Sequence, residues 1–157
     1  MRIQVALHKD RTVPGSFQVL ADADSTVLFG PVPCLGKADN QDAAQHQNPT
    51  RDPKRPFGDT PTGGYNVAAI VSHQGETDLH TYGAFPSLLL DPQSGDALTA
   101  KQNGREGIMI HGGAPSATGG LRPTHGCIRL SEASQQGLTG LVASTPLNSL
   151  TVSVSEA

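Results

Sequence analysis

Between Ile110 and Leu130 the chain reads IHGGAPSATGGLRPTHGCIRL. It sets His111, His125, Cys127, Arg122 and Arg129 among five glycines. A thiol with its ordinary pKa of about 8.5 is mostly protonated at pH 7, and only the thiolate is strongly nucleophilic. Attack on a carbonyl by Cys127 therefore requires a proton acceptor within reach. Imidazole, titrating near about 6.5, suits that task. Two histidines qualify. His125 lies two positions before Cys127, and in extended chain such side chains share a face. His111 closes the strand-like GIMIHG, and the intervening GGAPSATGGLRPT has the glycines and prolines to fold back.

Gly126 stands between the second histidine and the cysteine. Acyl transfer develops an oxyanion, and backbone N–H groups are its usual donors. Glycine lets a substrate approach the backbone closely and lets the chain bend so that N–H groups converge. Arg129 is placed either to hold an anionic substrate group or to bias Cys127 towards thiolate. A zinc site on His111, His125 and Cys127, three ligands with one open position, is the competing chemistry. It is disfavoured because the segment carries no acidic residue to complete or orient such a set.

The elements that must position these groups read as mostly extended. The chain has 157 residues, 18 Gly and 12 Pro with no Trp, a turn-rich composition that favours short strands. Candidate strands are Arg2–His8, Ser16–Ala21, Thr26–Val32, Tyr65–Ser72, Leu79–Tyr82, Ser87–Leu90, Gly107–His111 and Leu150–Val154, with side-to-side alternation in the first and last. One helix is predicted over Ser131–Ser144, with Ser131 as cap and Leu138, Leu141 and Val142 on one face. A polar, proline-rich stretch over residues 38–57 is long for a loop and reads as a lid or a loosely ordered segment. The expected fold is mainly β: one domain over residues 1–157, a sandwich or open barrel with one or two short helices.

Several residues read as structural. Cys34, in GPVPCLG, is expected to be a small buried hydrophobe, and a disulfide to Cys127 is not expected. His8, His46, His73 and His80 are expected to be hydrogen-bonded and outside the chemistry. A net charge of −3 with no long basic run argues against a nucleic-acid partner. No apolar run reaches the roughly 20 residues of a membrane span. MRIQVALHKD alternates as a strand does and lacks the features of a secretory leader, so the expected location is cytoplasmic. A trimmed leader would make it periplasmic.

The segment HGGAPSATGGLRPTHGCIRL resembles the active-site signature of the L,D-transpeptidases, the YkuD-type domain. That signature is a His-Gly, about a dozen residues, then Ser/Thr-His-Gly-Cys, an apolar residue and Arg or Asn. His111 and Gly112 open it here; Thr124, His125, Gly126, Cys127, Ile128 and Arg129 close it. Upstream, GDTPTGGYNV (Gly58–Val67) resembles the family's TPTG turn and following strand. The chain departs from the pattern in its long polar loop and at Gly113, where many members carry Thr or Ser.

The resemblance implies an all-β catalytic domain in which Cys127 is the nucleophile and His111 takes its proton. The carbonyl of Gly112 orients that imidazole, and the N–H groups of His125, Gly126 and Cys127 form the oxyanion hole. Arg129, Thr124 and Gly113 are expected on the substrate side. The implied partner is a peptidoglycan stem tetrapeptide or soluble muropeptide, cut between diaminopimelate and D-alanine through a thioester, with carbapenems as inhibitors. No metal or organic cofactor is implied. Water as acceptor gives an L,D-carboxypeptidase, the expectation for a cytoplasmic enzyme that trims recycled muropeptides. An amine acceptor gives 3→3 cross-links or protein attachment, the expectation for a periplasmic one. A binding module of the same fold without chemistry would instead carry a thiol of ordinary, slow reactivity.

Overall fold

A computed structural model describes residues 1–157. Its strands are β1 (Arg2–Leu7), β2 (Gly15–Leu20), β3 (Val27–Cys34), β4 (Gly63–Val71), β5 (Ser87–Pro92), β6 (Met109–His111), β7 (Ile128–Arg129) and β8 (Thr151–Glu156). They form one eight-stranded sheet in the order β3-β2-β1-β8-β4-β5-β6-β7. Its two outer strands meet where Leu35, just past β3, pairs with Arg129 of β7 through N–H···O bonds of 3.0 and 2.8 Å. The sheet is thereby a nearly closed barrel, and one stitch of that closure lies two residues from Cys127.

Alternation explains the interior. Ile3, Val5 and Leu7 of β1 point inward with Val152 and Val154 of its parallel neighbour β8. Phe17, Val19, Tyr65, Leu88, Ile110 and Ile128 join them in a single apolar core, which also holds Cys34. Both cysteines are free, and burial pushes the Cys34 thiol up to about 12, so it behaves as a core side chain.

There are four α-helices, α1 (Asn40–Gln45), α2 (Glu76–Tyr82), α3 (Gly95–Gln102) and α4 (Glu132–Val142), rather than one or two. α4 forms as expected: Ser131 accepts from the Ser134 N–H, and Leu138 and Val142 are buried. Its Gly137 is required by packing, since a Cβ there would stand 2.7 Å from the Phe29 ring. Leu79–Tyr82, expected as a strand, is the second half of α2. Glu76 and Asp78 in the first turn suit the positive end of the helix dipole, and Gly75 and Gly83, both with positive φ, bound it. α3 announces itself only by Ala97 and Ala100, three apart and buried.

The polar stretch 38–57 is also more built than expected. The Asp39 carboxylate caps α1 by accepting from the Gln41 and Asp42 N–H groups. The buried Asn48 side chain donates to the carbonyls of Asp52 and Phe57 and accepts from the Asp52 N–H. Phe57 stacks on His46 at 3.5 Å. No helix of the molecule is long and apolar enough to cross a membrane.

Leu138 ties α4 to the barrel, so Leu138→Ala is expected to cost about 2–5 kcal/mol. Thermal or denaturant unfolding measures this; a loss below about 1 kcal/mol would place α4 outside the cooperative core.

Candidate active site

Strands β6 and β7 pair in parallel, with Ile110 opposite Ile128 and His111 opposite Arg129. Strand side chains alternate, so His111, Cys127 and Arg129 point away from the core positions Ile110 and Ile128. They share a cavity of about 500 Å³ that is also lined by Phe57, Tyr82, Arg105, Glu106, Met109, Arg122, Thr124, His125 and Gly126. The two strongest sequence candidates therefore line one cavity, His111 at the end of β6 and Cys127 immediately before β7. His125 reaches the rim with an exposed side chain.

The orientation of His111 is fixed by the backbone. Its Nδ1 donates to the Gly112 carbonyl at 2.7 Å, which leaves Nε2 as the free ring nitrogen. The same carbonyl accepts from Arg129 Nη1 at 2.7 Å, while Arg129 Nη2 donates to the Thr81 carbonyl at 3.1 Å. Arg129 is thus buried and anchored on main chain beneath the imidazole. Only 2% of it is exposed, so it is positioned to act through the Gly112 carbonyl rather than on a substrate anion. Tyr82 stands edge-on to His111 at 5.1 Å, and His73 stacks on Tyr82 at 4.4 Å while pairing with Ser87 Oγ at 2.7 Å. His73, expected outside the chemistry, supports the site at one remove.

A Thr or Ser at position 113 has no room here. With φ at +119°, a Cβ would fall 2.2 Å from Arg129 Nη1 and 2.4 Å from the Thr81 carbonyl. Glu132, at the start of α4, accepts from the Gly113 N–H at 2.7 Å and from the Ala84 N–H at 3.0 Å, clamping both loops beside the imidazole.

Around the sulfur, the Met109 N–H donates to Cys127 Sγ at 3.4 Å and the thiol donates to the Gly107 carbonyl at 3.5 Å. His111 is not among its hydrogen-bond partners in this resting arrangement; catalytic contacts are often loose before substrate binds. Of the three expected oxyanion donors, Gly126 N–H is already engaged, donating to Thr124 Oγ1 at 2.8 Å. The N–H groups of His125 and Cys127 have no hydrogen-bond partner within the protein. Thr124, expected at the substrate, is buried and braces the turn, its hydroxyl also donating to the Cys127 carbonyl at 3.0 Å. Gly126 has φ at +107°, and a Cβ on it would strike Arg105 Nη2 and the Gly58 carbonyl.

Type and spacing single out neither Arg105 nor Thr60 and give Arg122 no role. Arg105 is buried beside the sulfur and donates to the carbonyls of Phe57, Gly58 and, at 3.5 Å, Gly126. Arg122 donates to the carbonyls of Ala114 and His80. Flanking glycines in NGREG were the only hint that Arg105 turns inward.

Burial decides the protonation states. It pushes the Cys127 thiol above its ordinary value, and the Met109 N–H and the charges of Arg105 and Arg129 oppose this without reversing it. Burial and then Arg129 pull His111 down to about 3 against the Gly112 bond. Arg129, lowered to about 10 by burial and Arg122, stays charged at pH 7. The resting pair is a neutral thiol and a neutral imidazole. The expected bias of Cys127 towards thiolate by arginine is present but outweighed.

The family model for the L,D-transpeptidase catalytic domain matches residues 6–146. No curated protein matches the chain significantly.

Because its pKa is raised, Cys127 is expected to alkylate with iodoacetamide more slowly than a free cysteine at pH 7. The rate rises with pH through the alkaline range and shows no plateau at neutrality. A plateau below pH 7, read by mass spectrometry of the labelled protein, would mean a preformed thiolate–imidazolium pair. Slow alkylation alone therefore does not separate an enzyme from a binding module at this site; acylation does.

Proposed function

The chain belongs to the YkuD-type L,D-transpeptidase catalytic domain family, and from that premise we propose that Cys127 performs acyl transfer on peptidoglycan stem tetrapeptides. Members of the family act on peptidoglycan peptides. The observation that carries the reading is the Nδ1–H···O bond to Gly112, which leaves Nε2 of His111 as proton acceptor in the cavity that holds Cys127.

In the proposed sequence, Sγ bonds to the carbonyl carbon between diaminopimelate and D-alanine as the thiol proton passes to His111 Nε2. The resulting oxyanion accepts from the N–H groups of Cys127 and His125. On collapse the C–N bond breaks, the proton moves from Nε2 to the departing amine, and D-alanine leaves a thioester on Cys127. Transfer from thiol to imidazole creates two opposite charges at once. The low resting pKa of His111 makes the imidazolium a strong acid towards the leaving amine. Arg105, Arg122 and Arg129 give the cavity a positive surround suited to a substrate with carboxylates.

For the acceptor we propose water, which makes the protein an L,D-carboxypeptidase. Supporting this, the cavity at the sulfur is of the size of a single-ligand pocket. The next cavity, lined by Arg11, Arg51 and Glu156 among others, shares no residue with it. Water needs no second groove. His111 Nε2 then takes a proton from water as its oxygen bonds to the thioester carbon; the C–S bond breaks, the tripeptide leaves with a new carboxyl group, and the proton passes from Nε2 to Sγ to restore the thiol.

Incubation with a soluble tetrapeptide muropeptide, read by mass, is expected to give tripeptide and D-alanine. A cross-linked dimer would reassign the acceptor to an amine, and an unchanged substrate would remove the proposal. Cys127→Ser is expected to abolish D-alanine release while unfolding normally, and His111→Ala to lower kcat at least about 10²-fold. A carbapenem is expected to leave a covalent adduct on wild-type protein and none on Cys127→Ser.

A further inference from the structure

The TPTG turn contributes a group to the nucleophile's own peptide. Thr60, in that turn, is fully buried and its N–H donates to the Gly36 carbonyl at 2.9 Å. Its hydroxyl crosses 66 positions of sequence to donate to the Gly126 carbonyl at 2.8 Å. The next residues hold the turn rigid: the Pro61 carbonyl accepts from Tyr65 OH at 2.6 Å and the Thr62 carbonyl from the Ala97 N–H at 2.8 Å.

The Gly126 carbonyl and the Cys127 N–H belong to one planar trans peptide, so they point in opposite directions. Whatever fixes the carbonyl aims the N–H. The carbonyl faces Thr60 and, more distantly, Arg105 Nη2; the N–H has no partner in the protein and belongs to a residue that lines the cavity. Gly126 itself supplies little rigidity, since glycine at positive φ is free to rotate this peptide. Thr124 secures the preceding N–H and the following carbonyl and touches neither end of this one.

We propose that Thr60 is a positioning residue for acyl transfer: its hydroxyl, holding the Gly126 carbonyl, aims the Cys127 N–H at the developing oxyanion. The inference rests on Cys127 being the nucleophile but not on peptidoglycan being the substrate. Loss of the hydroxyl frees the peptide to turn, so the donor is misaligned where charge builds up. Reactions of the same sulfur that build no oxyanion are untouched.

Two probes of Cys127 separate these effects. p-Nitrophenyl acetate transfers its acetyl group to Sγ through a tetrahedral oxyanion and releases p-nitrophenolate. Iodoacetamide alkylates the same sulfur by displacement of iodide, with no oxyanion. In Thr60→Val, the acylation rate is expected to fall at least about 10-fold while the alkylation rate at alkaline pH stays within about 2-fold of wild type. Thr60→Ser, which keeps the hydroxyl, is expected to restore acylation. Equal acylation in folded Thr60→Val, or a matching fall in both rates, would overturn the proposal, the second because it marks a merely structural role. A measurement on wild type covers the case in which Thr60→Val does not fold. Acetaldehyde forms a hemithioacetal on Cys127, and its oxygen is expected to shift the Cys127 amide proton downfield and slow its exchange. An unshifted amide would overturn the proposal. Because neither probe is a muropeptide, failure to release D-alanine leaves these outcomes independent.

Discussion

One carbonyl oxygen organises this site. The Gly112 oxygen accepts from the imidazole of His111 and the guanidinium of Arg129, each at 2.7 Å. A hydrogen bond from a charged donor is worth roughly 1.5–3 kcal/mol net, about twice a neutral one. The arginine pulls the peptide into place, and the peptide in turn selects which ring nitrogen carries the proton. No carboxylate orients the imidazole, although the Glu132 carboxylate lies close by, bonded to backbone N–H groups. A carboxylate on Nδ1 would stabilise imidazolium and raise its pKa. A carbonyl does so weakly, and with Arg129 behind it the ring stays neutral.

That choice sets the electrostatic character of the cavity. Three arginines approach the sulfur and imidazole, yet their N–H groups are largely bound to carbonyls: Arg105 to those of Phe57 and Gly58, Arg122 to those of Ala114 and His80, Arg129 to those of Gly112 and Thr81. Their charge remains while their geometry is fixed, the condition under which a field stabilises a transition state without reorganising. The arginines are thereby also the stitches that hold separate loops around one cavity.

Much of this was legible in the residues. Seven of the eight strands coincide with expected extended segments, and alternation is plainest in β1 and β8, whose inward face is dry. The pairing of a histidine at a strand end with a distant cysteine followed from glycine-rich chain between them. What alternation misses is what lacks it. Ile128–Arg129 is too short to show a period, and LHTY, apolar and aromatic enough for a strand, belongs to a helix set by acidic residues before it and a glycine at each end. The loop 38–57 reads as a lid or a loosely ordered segment because its order comes from the Asp39 cap, the Phe57–His46 stack and one asparagine bonding to several backbone groups. Thr60, Arg105 and Arg122 act on carbonyls far away in sequence, and no local pattern encodes such a contact. Arg129 and Thr124 stand out by type for chemistry that the fold gives them only through the backbone.

The order of strands has a bearing on biosynthesis. β8, residues 151–156, lies between β1 and β4 and joins the sub-sheet β3-β2-β1 to the sub-sheet β4-β5-β6-β7. A ribosome therefore delivers the sulfur and its imidazole well before it delivers the piece that unites the two halves. The contacts that complete the wall span nearly the whole chain, as in Arg2 beside Thr151, and such non-local closure is slow. Until then the seam between Leu35 and Arg129 has no ring to complete, and the nascent chain carries its nucleophile unassembled.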